Sequence, residues 1–196
     1  SSEKESEDIV ENKDSTGGLR VDELFTTEKP LNSYKKPNTL VRIQYTGHAG
    51  FLVETKSAAI MIDPVIAANN RDIDEDLISY TELPPHINYV LLTHSHQDHT
   101  NIETLLQLRE RIGTILVPKN NGGTLFDPSL KLMLKKLEFN VVEVEDMEKI
   151  ALPNGEGHIR AIPFLGEHGD LNIRSKTAWL IDAAEKRCYF GADSSN

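Results

Sequence analysis

The chain has 196 residues, of which 31 are acidic and 21 are basic, and its formal net charge is −10. Its length suits one domain, and its charge argues against nucleic acid and anionic membranes as partners, because both are bound by basic surfaces. No apolar stretch is long enough to cross a bilayer, and the single cysteine, Cys188, excludes an internal disulfide, so we expect a cytoplasmic protein in a reducing compartment.

The first 39 residues differ in composition from the rest of the chain. Residues 1–18 contain only two large apolar side chains, Ile9 and Val10, and such a segment buries too little surface to offset its ordering entropy. We expect a disordered acidic tail here. Residues 19–39 contain apolar side chains and two prolines, which favours a linker or a packed N-terminal segment.

From residue 40 onwards, short β-rich runs outnumber helical patterns. The predicted strands are 41–46, 50–54, 58–63, 89–93, 113–117, 141–144, 158–164, 176–181 and 187–190. A capping-box pattern at Thr100–Glu103 predicts a helix to about Arg111. Asp127 and Pro128 predict the N-cap and first turn of a second helix. Its apolar face is formed by Leu130, Met133, Leu134 and Leu137. This pattern predicts a sheet-rich α/β or α+β domain.

One segment, residues 93–100, concentrates the groups that bind metals. Three of the seven histidines lie within six residues, in the order His94, His96, Asp98 and His99. In an extended segment, residues i and i+2 point the same way, so His94 and His96 can bind one ion. Asp98 and His99 are adjacent, and adjacent side chains point apart, so these two can reach a second metal site. Imidazole and carboxylate donors suit zinc, iron or manganese. A histidine-rich surface turn without metal is the alternative.

This His-x-His-x-Asp-His pattern resembles the signature of the metallo-β-lactamase fold superfamily. Three other segments resemble the same family: 58–64, which contains Asp63, the turn at 164–169, and the strand at 189–193 that ends in Asp193. The resemblance covers about residues 40–196. It implies an αββα sandwich, in which two sheets pack face to face, helices cover the outside, and two metal ions sit at one edge.

The resemblance also implies a ligand set. Metal one would be held by His94, His96 and the 166–168 turn, metal two by Asp98 and His99, and both by a bridging Asp193. Asp98 would also orient a metal-bound hydroxide, which makes it the candidate catalytic residue. The family places one more histidine on metal two beyond this aspartate, whereas the sequence stops at Asn196. We therefore expect a sandwich lacking much of its C-terminal half, with the remainder supplied by a longer chain or by another copy in a homo-oligomer.

The turn at Gly166 departs from the Gly-His pattern of the family. Here Glu167 follows the glycine and His168 comes one place later. Only one of the two can readily face the metal, and aligning the glycine favours Glu167, with His168 as the alternative. A glutamate ligand shifts preference from zinc towards iron. The GEHGDL segment resembles the dinuclear-iron β-hydroxylases of nonribosomal peptide biosynthesis, which share the fold.

Two residues outside the motif have two interpretations each. His48 follows the first predicted strand, and we expect a hydrogen-bonded structural role rather than a place beside the metals. Asp63 ends a predicted strand. It either orients a ligand imidazole or caps the turn that follows, and the sequence leaves both open.

Three functions follow from this site. The first expectation is a dinuclear hydrolase that attacks a small-molecule substrate with a metal-bound hydroxide. The alternative is a dinuclear-iron oxygenase that activates O2, which the Glu167 alignment favours. The third is a non-catalytic metal-binding fragment. The substrate itself is set by loops that sequence patterns do not read.

Overall fold

The computed structural model describes residues 32–66, 78–119, 129–164 and 175–194. The chain divides into two units, Ser1–Asn32 and Ser33–Asn196. The predicted tail and most of the predicted linker lie outside the described residues, so the domain limits at 18 and 39 stay predictions.

Six strands form the first sheet, in the order in which they occur along the chain. They are β1 (Val41–Gly47), β2 (Gly50–Thr55), β3 (Ala59–Ile62), β4 (Ile87–Leu91), β5 (Ile112–Pro118) and β6 (Val141–Val144). The strands from β1 to β3 pair antiparallel, and those from β3 to β6 pair parallel. The parallel strands are rich in buried Val, Ile and Leu, as expected for a sheet covered on both faces.

Four strands form the second sheet, in the order β10-β9-β8-β7. They are β7 (Lys149–Ala151), β8 (Gly157–Pro163), β9 (Thr177–Ala183) and β10 (Lys186–Phe190), and all pairs are antiparallel. The nine predicted strands are all present, with ends that differ by at most two residues. Strand β7 was not predicted, because three residues are too few to display an alternating pattern.

Both predicted helices are present, but their caps differ from the prediction. Helix α1 (Ile102–Gln107) is capped by Asn101 and is followed by a short 3-10 turn at Arg109–Arg111. The hydroxyl of Thr100, the expected cap, donates instead to the carbonyl of His94. Helix α2 (Leu130–Lys136) is capped by Ser129, whereas the predicted cap at 127–128 lies outside the described residues.

Two apolar clusters lie on opposite faces of the first sheet. The outer cluster joins the sheet to α1 and α2, and the inner cluster fills the space between the two sheets. Among the described residues this gives three layers of an αββα sandwich. Trp179 of β9 is fully buried, and its indole N–H donates to the carbonyl of Leu92 over 3.1 Å. This bond fixes the second sheet directly beside residues 93–100. Neither of the described helices is long and apolar enough to span a membrane.

Candidate metal centre

Four chain segments converge at one edge of the sandwich. Asp63 follows β3, and residues 93–100 follow β4, whose parallel pairing brings both carboxyl ends to the same place. The β1–β2 turn, which carries His48, lies beside them, because the start of β2 pairs with the end of β3. The fourth segment follows β10 and brings Asp193. Strand ends of this kind are where α/β folds build their sites.

The first group of potential ligands contains His94, His96 and Asp193. Their candidate ligand atoms all lie within 4.8 Å of one another. Nε2 of His94 lies 3.0 Å from Nδ1 of His96 and 3.8 Å from Oδ2 of Asp193. These are separations that neighbouring donors around a single ion can adopt. The structure thus places His94 and His96 side by side, as one shared ion would require.

The second group contains His48, Asp98 and His99, again with candidate ligand atoms within 4.8 Å of one another. Nε2 of His99 lies 3.8 Å from Oδ2 of Asp98 and 3.2 Å from Oδ2 of Asp193. Asp193 therefore reaches histidines of both groups, which is the geometry expected of a bridging carboxylate. The carboxylate of Asp98 is half exposed, whereas the His99 side chain is buried.

The buried carboxylate of Asp63 contacts the second group directly, through His99, and the first group indirectly, through Thr93. Its Oδ1 accepts the backbone N–H of Thr93 at 2.8 Å, and its Oδ2 accepts Nδ1–H of His99 at 2.8 Å. Oδ2 also accepts the hydroxyl proton of Thr93 at 2.6 Å. Because His99 uses the proton of Nδ1 in this bond, its Nε2 keeps a lone pair directed at Asp193 and Asp98.

The same carboxylate sets the tautomer of His94 through Thr93. The hydroxyl of Thr93 has one proton, which it donates to Asp63, so its 2.9 Å contact with Nδ1 of His94 is one in which it accepts. His94 therefore carries its proton on Nδ1 and presents its Nε2 lone pair to His96. One aspartate thus prepares a histidine in each group for metal binding.

The ionisable groups influence one another strongly. Burial raises the pKa of Asp63, against the lowering effect of the hydrogen bonds that it accepts. Burial lowers the pKa of His99, but the hydrogen bond and charge of Asp63, with the charges of Asp193 and Asp98, outweigh it and raise that pKa. For Asp98, burial raises the pKa, and the charge of His99 with hydrogen bonding outweighs it, so the pKa is lowered. The surrounding carboxylates therefore favour a cation at this position.

Three of the eight described non-glycine residues with a positive φ lie at this site. His48, Asp63 and Ala192 have φ values of 50°, 40° and 48°, in the left-handed region that side-chain-bearing residues rarely occupy. They lie on three different turns, each next to a candidate ligand or carrying one. Such conformations persist where the surrounding structure enforces them, and they concentrate at functional sites.

A cavity of about 510 Å³ lies beside Asp193, the carboxylate that reaches histidines of both groups. Asp63, Thr93 and Asp193 form its polar wall, and Arg187 adds a positive charge. The rest is mainly apolar and is lined by Ile43, Phe51, Ile62, Cys188, Tyr189 and Phe190. This is the usual composition of a small-molecule pocket, with a few polar groups set in apolar walls.

The structure brings together five of the seven predicted ligands. They are His94, His96, Asp98, His99 and Asp193. Glu167 and His168 lie outside the described residues, so their roles stay predictions. Asp63 accepts a hydrogen bond from the imidazole of His99, a predicted ligand, which supports the first of its two interpretations. His48 makes a hydrogen bond, as we expected, but its partner is Asp98, which places it beside the candidate ligands, where we did not expect it. Only its position directly after a strand pointed to that place.

Residues 59–196 match the family described as the Beta-lactamase superfamily domain. The chain belongs to this superfamily. The match covers both sheets from β3 onwards and contains the whole metal-binding motif. The predicted fold is therefore confirmed.

Two matches to this beta-lactamase superfamily chain are with proteins of Streptomyces venezuelae. The chain is 43% identical over 156 residues to the 4-amino-L-phenylalanyl-[CmlP-peptidyl-carrier-protein] 3-hydroxylase, covering 79% of this chain and 29% of the hydroxylase. The crystal structure of CmlA, a diiron β-hydroxylase, matches with a TM-score of 0.72 at 42% identity, covering 82% of this chain and 31% of CmlA. The chain thus spans about a third of these proteins.

Two proteins named as metal-dependent or metallo hydrolases are also similar. A UPF0173 metal-dependent hydrolase of Brucella ovis is 29% identical over 161 residues, covering 71% of this chain and 66% of the hydrolase. Igni18, a metallo hydrolase from Ignicoccus hospitalis, has a TM-score of 0.54 at 20% identity, covering 79% of this chain and 61% of Igni18, which supports the fold alone. The chain is accordingly related to metal-dependent enzymes of two kinds.

Proposed function

We propose that this chain forms the metal-binding part of a dinuclear-iron, O2-dependent hydroxylase that acts on an aminoacyl group held by a carrier protein. The observation that carries the proposal is the 43% identity to a hydroxylase named for such a substrate, over 79% of this chain. A hydrolase of the superfamily reaches only 29% identity. Iron, rather than zinc, is therefore the metal that we expect.

The donor set suits two such ions. His94 and His96 would hold one ion, Asp98 and His99 the other, and Asp193 would contact both, since its Oδ2 reaches a histidine of each group. Imidazole and carboxylate donors are the ligands that non-haem iron prefers. Glu167 would add a carboxylate to the first ion, with His168 as the alternative. Two bound irons, with dioxygen and a reductant, supply the oxidising chemistry for hydroxylation of a C–H bond.

The chain itself contributes preorganisation around that chemistry. Asp63 holds His99 directly and His94 through Thr93, so the lone pairs are aimed before any ion arrives. This arrangement lowers the reorganisation needed on binding. The apolar wall of the adjoining cavity, including Phe51 and Phe190, would bind the aminoacyl side chain and exclude water.

The experiment is elemental analysis and a visible spectrum of protein purified without added metal, followed by oxygen uptake with a reductant. We expect about two irons per chain, near-ultraviolet or visible absorption, and measurable uptake. Asp98→Asn should reduce the iron content and the uptake by tenfold or more, on the order of a lost metal-site interaction. Asp146→Asn, at an exposed turn before β7, is the matched control and should change neither.

The second candidate is a hydrolase, which the similarity to metal-dependent hydrolases favours. A colourless zinc protein that takes up no oxygen and cleaves lactones, thioesters or phosphodiesters would contradict the hydroxylase and support this alternative. Loss of that cleavage in Asp98→Asn, with Asp146→Asn unaffected, would place the activity at this site.

A further inference from the structure

We propose that His48 is a positioning residue of the metal centre, which holds the Asp98 carboxylate in place for the second ion. Nε2 of His48 lies 3.0 Å from Oδ2 of Asp98. The two residues are 50 positions apart, so the contact is made by the fold and not by local sequence. The inference rests on the dinuclear centre of the proposed function and holds for a hydrolase or a hydroxylase alike.

The chemistry of the contact decides between positioning and direct ligation. An ionised carboxylate can only accept hydrogen bonds, so the proton of this bond belongs to Nε2 of His48. That nitrogen then has no lone pair for a metal. The carboxylate has two oxygens with about four acceptor positions in total, so Asp98 can accept from His48 and still coordinate an ion. His48 therefore acts through Asp98.

The backbone holds the His48 side chain in this position. The residue has a φ of 50° in the tight turn between β1 and β2, and its ring meets that of His99 edge-on, with centroids 5.7 Å apart. Gly50 brings the turn close to its neighbours: a Cβ there would lie 2.5 Å from Oγ1 of Thr46 and 3.1 Å from the carbonyl of Asp63. The turn is thus packed against the residue that orients the ligand histidines.

A purely structural role predicts something different. Both side chains are about half exposed, and an exposed pair of this kind adds little to the stability of a fold. Removing His48 should therefore leave the thermal unfolding of the metal-free chain nearly unchanged. A positioning role should instead appear in the affinity for the second metal ion, where removing an orienting partner costs about 10- to 100-fold.

The test is titration of the metal-free chain with Co²⁺, which reports each bound ion through its visible bands. His48→Ala should weaken the second binding step about tenfold and leave the first step, at His94 and His96, unchanged. His48→Gln keeps a side-chain N–H of similar reach and should restore second-step affinity to within about threefold of the parent chain. His86→Ala, an exposed histidine at the opposite end of β4, is the matched control.

Two results would overturn the inference while leaving the proposed function intact. If His48→Ala binds both ions like the parent chain, His48 does not position Asp98. If His48→Gln loses as much affinity as His48→Ala, His48 is itself a ligand. A parent chain that binds fewer than two ions would overturn the dinuclear centre, and the inference with it.

Discussion

Two buried carboxylates belong to neighbouring strands of the first sheet, one within β2 and one directly after β3, and they have different roles. Asp63, after β3, is 1% exposed, and Glu54, in β2, is 2% exposed. Glu54 pairs with Ala59 at the start of β3, and Asp63 follows the end of β3. The two carboxylates therefore lie at opposite edges of the sheet, at the two ends of its strands. Asp63 accepts its bonds from Thr93 and His99, whereas Glu54 accepts from a guanidinium and a phenol.

The difference lies in what the partners can do next. Arg42 is always charged and has no lone pair for a metal, so its ion pair with Glu54 can only stabilise the structure. An imidazole has a second nitrogen, so a histidine that donates to Asp63 can still bind a metal. Burying a carboxylate is costly in both places. At one edge the buried carboxylate of Glu54 stabilises a strand pair. At the other edge the buried carboxylate of Asp63 holds the candidate ligands in position.

The largest expected effect in this comparison comes from Asp63→Asn. The amide keeps the size of the side chain but replaces one acceptor oxygen with a donor, so either His99 or Thr93 loses its partner. We expect metal affinity to fall about 10- to 100-fold and the free energy of unfolding to fall by about 1–3 kcal/mol. Competition with a chromogenic chelator measures the affinity. Unchanged affinity would show that the histidines orient themselves without this aspartate.

Glu54→Gln is the matched change at the other edge and should affect stability alone. Breaking a buried ion pair costs about 3–5 kcal/mol, but the side chain of Arg42 is 33% exposed and water can solvate its charge. We therefore expect a loss of about 1–3 kcal/mol in denaturant unfolding. Metal affinity should not change. A parallel loss of metal affinity would mean that the two edges are coupled, and the comparison would fail.

The sequence predicts most of the fold and the centre of the site. The strands are predictable because β-branched and apolar residues fill them, and the candidate ligands in 94–99 stand out because their spacing is short and regular. Leu130 and Leu134 of α2 were placed correctly on its apolar face. In each case the signal lies within a few consecutive residues, which is the range over which periodicity and spacing can be read.

The remaining features depend on contacts between distant residues. His48 reaches Asp98 across 50 positions, and Asp63 reaches His99 across 36. No local pattern records such pairs, so the sequence leaves Asp63 undecided and does not place His48 beside Asp98. The cap of α1 moved by one residue for a similar reason, because the Thr100 hydroxyl is used by the carbonyl of His94 in the metal-binding loop.

The smallest expected effect concerns Tyr34, whose hydroxyl donates to Glu54 at 2.6 Å. Burial, together with the hydrogen bond and charge of Glu54, raises the pKa of Tyr34 to about 12. The folded state therefore retains this proton more strongly than the unfolded state, whose tyrosine pKa is about 10. The resulting stability is present below pH 10 and is lost as the pH rises towards 12.

Tyr34→Phe should remove that pH-dependent contribution and cost about 1 kcal/mol near neutral pH. The difference in tyrosinate absorbance between the parent chain and the variant isolates Tyr34 from Tyr80, whose pKa is also raised by burial. That difference should titrate near pH 12. A midpoint near 10 would mean that Glu54 does not hold the phenol. Metal affinity should be the same in both proteins, since this carboxylate serves the strand pair and not the metal centre.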